Sequence, residues 1–129
     1  MSNVELHNKL NRAAAEKKIS KELFSRTVLS FYKYVIIADP RFLRNYLFSG
    51  WKDLGVLGRI YVAKEGINAQ VSVPDHRLKN FRDFVDSVSY IKDLEFKTGL
   101  EKNNLSFLKL TIKVKSQIVA DGLEAVSYT

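Results

Sequence analysis

Apolar and polar positions alternate most regularly between Gly58 and Pro74. Ile60 and Val62 alternate with Arg59 and Tyr61. After a break at Lys64-Glu65-Gly66, Ile67, Ala69, Val71 and Val73 alternate with Asn68, Gln70 and Ser72. A period of two marks strands with one buried face. The stretch therefore predicts a hairpin with an apolar back and a polar front of Arg59, Tyr61, Asn68 and Gln70. Gly66 stands at the reversal, where a positive φ is required. Pro74 has no N–H to continue a ladder and closes the second strand.

The same reading extends in both directions. Residues 27–37 are aromatic and β-branched on both faces, which predicts a strand in the middle of a sheet. Asp39-Pro40 is a helix start, with Asp39 as N-cap and Pro40 in the first turn. Leu43, Leu47, Trp51 and Leu54 then form an inner stripe that places Trp51, the sole tryptophan, between helix and sheet. Gly50 within that helix costs up to about 1 kcal/mol relative to alanine, so packing must hold the turn, and Gly55 ends it. A second helix begins near Asp75 and carries Leu78, Phe81, Val85 and Val88 at helical spacing. Residues 94–99 predict a short edge strand. Residues 105–115 predict a final strand with Leu108, Leu110, Ile112 and Val114 inward. Residues 1–26 form a weakly amphipathic helical arm expected to pack loosely, with Ser20 capping a turn that contains Leu23 and Phe24. The element order predicts an α+β, ferredoxin-like βαββαβ sandwich. Its sheet is expected to be antiparallel, with two helices on one face, besides the arm and one extra short strand.

Composition narrows the chemistry. The 129 residues include no cysteine, which excludes disulfides and cysteine nucleophiles from this chain and fits a reducing cytosol. His7 and His76 fall in different elements, so no histidine metal site is expected. No apolar run is long enough for a membrane helix. The net charge of +7 and a pI near 9.6 favour an anionic partner such as nucleic acid. With helices on one face, the other sheet face carries Tyr32, Tyr34, Arg59, Tyr61, Asn68, Gln70, Phe107, Lys109, Thr111 and Lys113. Rings interleaved with cations suit single-stranded nucleic acid. The same residues could instead pack against the arm or another domain. Arg41 and Asn68 could hold an anion, but Ile37-Ala38-Asp39-Pro40 lacks glycine and Asp39 would repel phosphate. Glu65 is either a general base or a carboxylate that holds the turn through backbone amides.

Several blocks occur in an ordered series: Ser30-Phe31-Tyr32-Lys33-Tyr34, Ile37-Ala38-Asp39-Pro40, the whole hairpin from Gly58 to Pro74, Phe81-Arg82-Asp83 and Ile118-Val119-Ala120-Asp121-Gly122. Over residues 27–122 the chain resembles the rhodanese-related bacterial tRNA uridine hydroxylases. A departure is Lys64, where that family is expected to carry histidine. The resemblance implies an acylphosphatase-like N-terminal domain, with residues 123–129 beginning a linker to a C-terminal rhodanese-like domain that carries the essential cysteine. It also implies a cytoplasmic enzyme that converts the wobble uridine of tRNA to 5-hydroxyuridine, with molecular oxygen as co-substrate and no organic cofactor assigned. The expected partners are tRNA and the rhodanese-like domain, and no catalytic residue is expected within this stretch. Combined with the charge pattern, Lys33, Arg59, Lys64, Lys113 and Lys115 are expected to contact phosphates, with Tyr61 and Asn68 nearer a base.

Overall fold

A computed structural model describes residues 12–98 and 107–118. The helix α1 covers 12–20 within the described residues. It is followed by β1 (Arg26–Tyr34), α2 (Pro40–Asp53), β2 (Leu57–Ala63), β3 (Gly66–Pro74), a 3₁₀ turn (Asp75–Arg77), α3 (Leu78–Ser87), β4 (Lys97–Thr98) and β5 (Leu110–Val114). Among the described residues no helix is long and apolar enough to cross a membrane. His7 lies outside them.

The strands form one sheet in the order β4-β1-β3-β2-β5. The first four follow the ferredoxin-like order, since β1 and β2 flank β3 and pair with it antiparallel. Two details differ from the pattern expected of the sequence. The two-residue β4, not the last strand, occupies the place beside β1. The last strand is added at the opposite edge and runs parallel to β2, so the sheet is mixed. Alternation is the same in parallel and antiparallel strands, and only the path of the chain between β4 and β5 sets the direction. The expected strand at 27–37 ends at Tyr34. Val35 and Ile37 instead donate to Glu65 O and Lys64 O across the hairpin end.

The core lies between the sheet and α2 and α3. Leu43, Leu47 and Trp51 from α2 meet Phe81 and Val85 from α3 over Phe31, Ile60, Ile67, Ala69 and Val71. Asp39 caps α2 by accepting from Phe42 N at 3.2 Å, and Pro40 opens the helix as expected. Trp51 is fully buried, edge-on to Phe31 and tilted against Phe81. Gly50 is explained by Phe84: a Cβ there would stand 2.3 Å from the Phe84 ring. That ring stacks on Tyr46, which stacks on Phe42, continuing along the outer side of α2.

The arm is held more firmly than its sequence predicts. Ile19 is buried, and Arg26 forms a well-buried pair with Glu22 at 2.8 Å while also donating to Gly55 O and Ser72 O. Ser20 does not cap a following turn; its hydroxyl donates back to Glu16 O. At the 3₁₀ turn, Asp75 accepts from the hydroxyls of Ser25 and Thr27, tying the start of β1 to the end of β3. These bonds, Ser25 first, hold its carboxyl below the ordinary carboxylate range. A depressed folded-state pKa contributes stability above the unfolded value that fades as pH falls through the folded one. Carboxyl NMR titration should therefore find Asp75 below about 3.9, and Ser25→Ala with Thr27→Ala should move it back up.

Candidate nucleic-acid interface

The sheet face away from α2 and α3 is framed at both ends. At one end Ser72 faces outward by register, between Val28 and Leu57, yet it is buried. On the arm, Ile19 is buried apart from the main core, and Arg12 lines a depression shared with residues of β2 and β5. At the other end Ala63 and Gly66 are covered. The Ile118 side chain sits 3.0 Å from where a Gly66 Cβ would be, and Glu65 accepts from Ile118 N at 3.1 Å. The Glu65 carboxylate thus ties the hairpin end to a backbone amide outside the turn itself.

Two cross-strand rows remain between these ends. One runs Ser30, Gln70, Arg59, Thr111, and the other Tyr32, Asn68, Tyr61, Lys113, each crossing β1, β3, β2 and β5. Neighbouring strands lie about 4.8 Å apart, so each row presents its side chains as a close-set line. Tyr32 and Tyr34 stay 49% and 58% exposed and meet edge to face at 5.2 Å, so the described part of the arm does not cover them. A hydrogen bond with Tyr34, the largest cause, pushes the Tyr32 phenol up to about 12. Tyr32 is thus a neutral donor at any ordinary pH. Lys115 continues the Lys113 side of β5 and places its ammonium 4.6 Å from the centroid of the Tyr61 ring, in cation–π range.

Arg59 and Tyr61 stand side by side on β2 as a ridge between two shallow depressions. On the β3 side, about 170 Å³ is lined by Arg59, Tyr61, Asn68 and Gln70. On the β5 side, about 350 Å³ is shared by the ridge with Arg12, Phe107, Lys109, Thr111 and Lys113. Among the described residues no carboxylate lines either one. The nearest described acid on the arm, Glu16, is paired with Arg12 at 3.3 Å.

The structure brings Arg59, Tyr61, Asn68, Lys113 and Lys115 onto one surface. Lys64 sits apart at the hairpin turn, in a cleft with Arg41, Lys115 and the first residues of α2. Lys33 is separated from the group. Tyr32 and Tyr34 face outward, so the pleat turns Lys33 to the helix-covered side, opposite Ile67. The final strand also differs from expectation at its ends: Leu108 precedes β5, and Val114 is exposed. Gln70 and Lys109 belong to the surface by alternation alone. Arg12 could not be found that way, because periodicity within an arm does not say where the arm docks.

The strand order and the sheet face packed by α2 and α3 define an acylphosphatase-like α+β domain. The chain belongs to the family described as the UPF0176 acylphosphatase like domain, which matches residues 26–118. Among curated proteins it is 52% identical over 118 residues to the tRNA uridine(34) hydroxylase of Leptospira interrogans, covering 92% of this chain and 32% of that one. It is 40% identical to the protein of the same name from Hamiltonella defensa and 42% to that of Escherichia coli O157:H7. Each of these matches covers 92% of this chain and 34% of the relative. The chain thus spans about a third of the length of the curated relatives it matches.

Proposed function

We propose that this domain is the tRNA-binding N-terminal part of a tRNA uridine hydroxylase, presenting the two exposed sheet rows to an unpaired stretch of RNA. The observation that carries this reading is the line Tyr32, Asn68, Tyr61, Lys113, with Arg59 and Lys115 beside it. Rings offer stacking surfaces to bases, and cations offer phosphate contacts. The names of the relatives supply the substrate class. In the longer protein, hydroxylation of the wobble uridine to 5-hydroxyuridine with molecular oxygen belongs to the remaining two-thirds, in a rhodanese-like domain with the cysteine that this chain lacks. This domain alone binds weakly and does not turn over.

A second reading rests on the hairpin end of the domain, where Ile36 and Phe42 are 85% and 68% exposed. In this reading the domain docks the rest of the longer chain through these residues and contacts no RNA. Amide shifts recorded while adding an anticodon stem-loop to the 129-residue chain separate the two. Signals moving along Arg59–Gln70 and Thr111–Lys115 support RNA binding on the sheet. Silence there at low salt overturns it and leaves the docking role.

A further inference from the structure

The charges around the Arg59–Tyr61 ridge are divided unequally. On the β5 side the depression gathers Lys109, Lys113 and Arg12. On the β3 side the smaller depression has, among the described residues and besides the ridge itself, only the amides of Asn68 and Gln70. A surface that merely attracted a polyanion would gain from cations on both sides. Asn68 and Gln70 lie two residues apart on one strand and so point the same way. Each side-chain amide carries both donors and an acceptor. Neither one hydrogen-bonds to another described residue. Paired amides beside an aromatic ring match the donor and acceptor edge of a nucleobase far better than they match a phosphate, which only accepts. Lysine ammonium groups have the reverse preference.

We propose that one nucleotide straddles this ridge. Its phosphate is held on the β5 side by Lys109 and Lys113, and its unpaired base lies on the β3 side against Tyr61. The edge of the base is read by Asn68 and Gln70. The proposal rests on the sheet face being the RNA surface and adds which side of it carries sequence information. It assigns affinity and base preference to different strands, so the two can be changed separately.

The test uses the 129-residue chain and single-stranded oligouridine, oligocytidine and oligoadenosine of equal length, with binding read by fluorescence anisotropy over a salt series. Wild type should rank the three bases. Asn68→Ala with Gln70→Ala should cost roughly tenfold on the preferred base, the size of a good bidentate contact, and level the ranking at an unchanged salt slope. Lys109→Ala with Lys113→Ala should keep the ranking and lower the slope by about 0.7, the value for one phosphate contact to a single strand. Should the alanine pair unfold, Asn68→Thr with Gln70→Thr removes both amides while keeping strand propensity. A ranking that survives loss of both amides, or a wild type indifferent to base, overturns the assignment while RNA binding stands. Wild type that binds none of the three at low salt overturns the RNA reading itself.

Discussion

Trp51→Ala should destabilise the domain by about 3–5 kcal/mol, the range for deleting a buried aromatic side chain. Such a loss is a large share of the ~5–15 kcal/mol that holds a typical domain together. Trp51 is fully buried and bridges the two layers, lying edge-on to Phe31 of β1 at 6.4 Å and tilted against Phe81 of α3 at 5.5 Å. Phe96 extends the cluster, tilted against both phenylalanines. The backbone of β1 has Phe31 on the inside and Tyr32 on the outside, so a collapsing cavity beneath Phe31 would shift the exposed rows as well. The indole Nε1 has no partner among the described residues. Trp51→Phe should therefore cost much less, because it keeps a ring and removes an unsatisfied donor. Urea denaturation of the variants checks both values. Equal losses for alanine and phenylalanine would show that the ring retained by phenylalanine does not fill the site. In wild type, iodide should quench the folded-state fluorescence poorly.

The largest expected effect on binding comes from Arg59→Ala combined with Lys113→Ala. Arg59 stands beside Thr111 and Tyr61 beside Lys113, so the two cations occupy adjacent rows across the β2–β5 pair. Each phosphate contact releases condensed counterions, so affinity falls as a power of salt concentration. Removing two contacts should weaken binding of an anticodon stem-loop strongly at low salt. The slope of log K against log salt should fall by about 1.4–1.8, the sum of two contacts at ~0.7–0.9 each. Both side chains are on the surface, and stability should change little, because isolated exposed charges contribute little to folding. A double variant that binds like wild type would move the phosphate contacts away from this face. A weaker binder with an unchanged slope would show that the loss came from shape and not from charge.

The hairpin, both long helices and the buried stripe of α2 are legible in the sequence because each is written in local periodicity. The alternation from Gly58 to Pro74 determines which side chains of β2 and β3 face outward. Asp39-Pro40 marks where α2 begins. Arg59, Tyr61, Asn68 and Gln70 therefore group together on alternation alone, and the resemblance to a tRNA-modifying family points to the class of partner. Lys33 shows the limit within a strand. Its charge suggests a phosphate contact, but the pleat that exposes Tyr32 and Tyr34 must turn it the other way.

What only the tertiary structure decided lies in contacts between distant segments. Alternation is indifferent to strand direction, so it predicts β5 as a strand but not as a parallel one beside β2. A two-residue β4 has too few positions to show a period, and its place beside β1 follows from pairing alone. At the ends of the outer face Ser72 and Gly66 are buried, Gly66 beneath Ile118, a single apolar residue in an irregular stretch. The bond from Ile118 N to Glu65 that accompanies this cover spans elements far apart in sequence. Two rows of the sheet stay open between these ends. The separation of cations from amides across the Arg59–Tyr61 ridge exists only once β5 and the arm have docked beside it. Local spacing determines which way a side chain points; packing determines which others stand next to it.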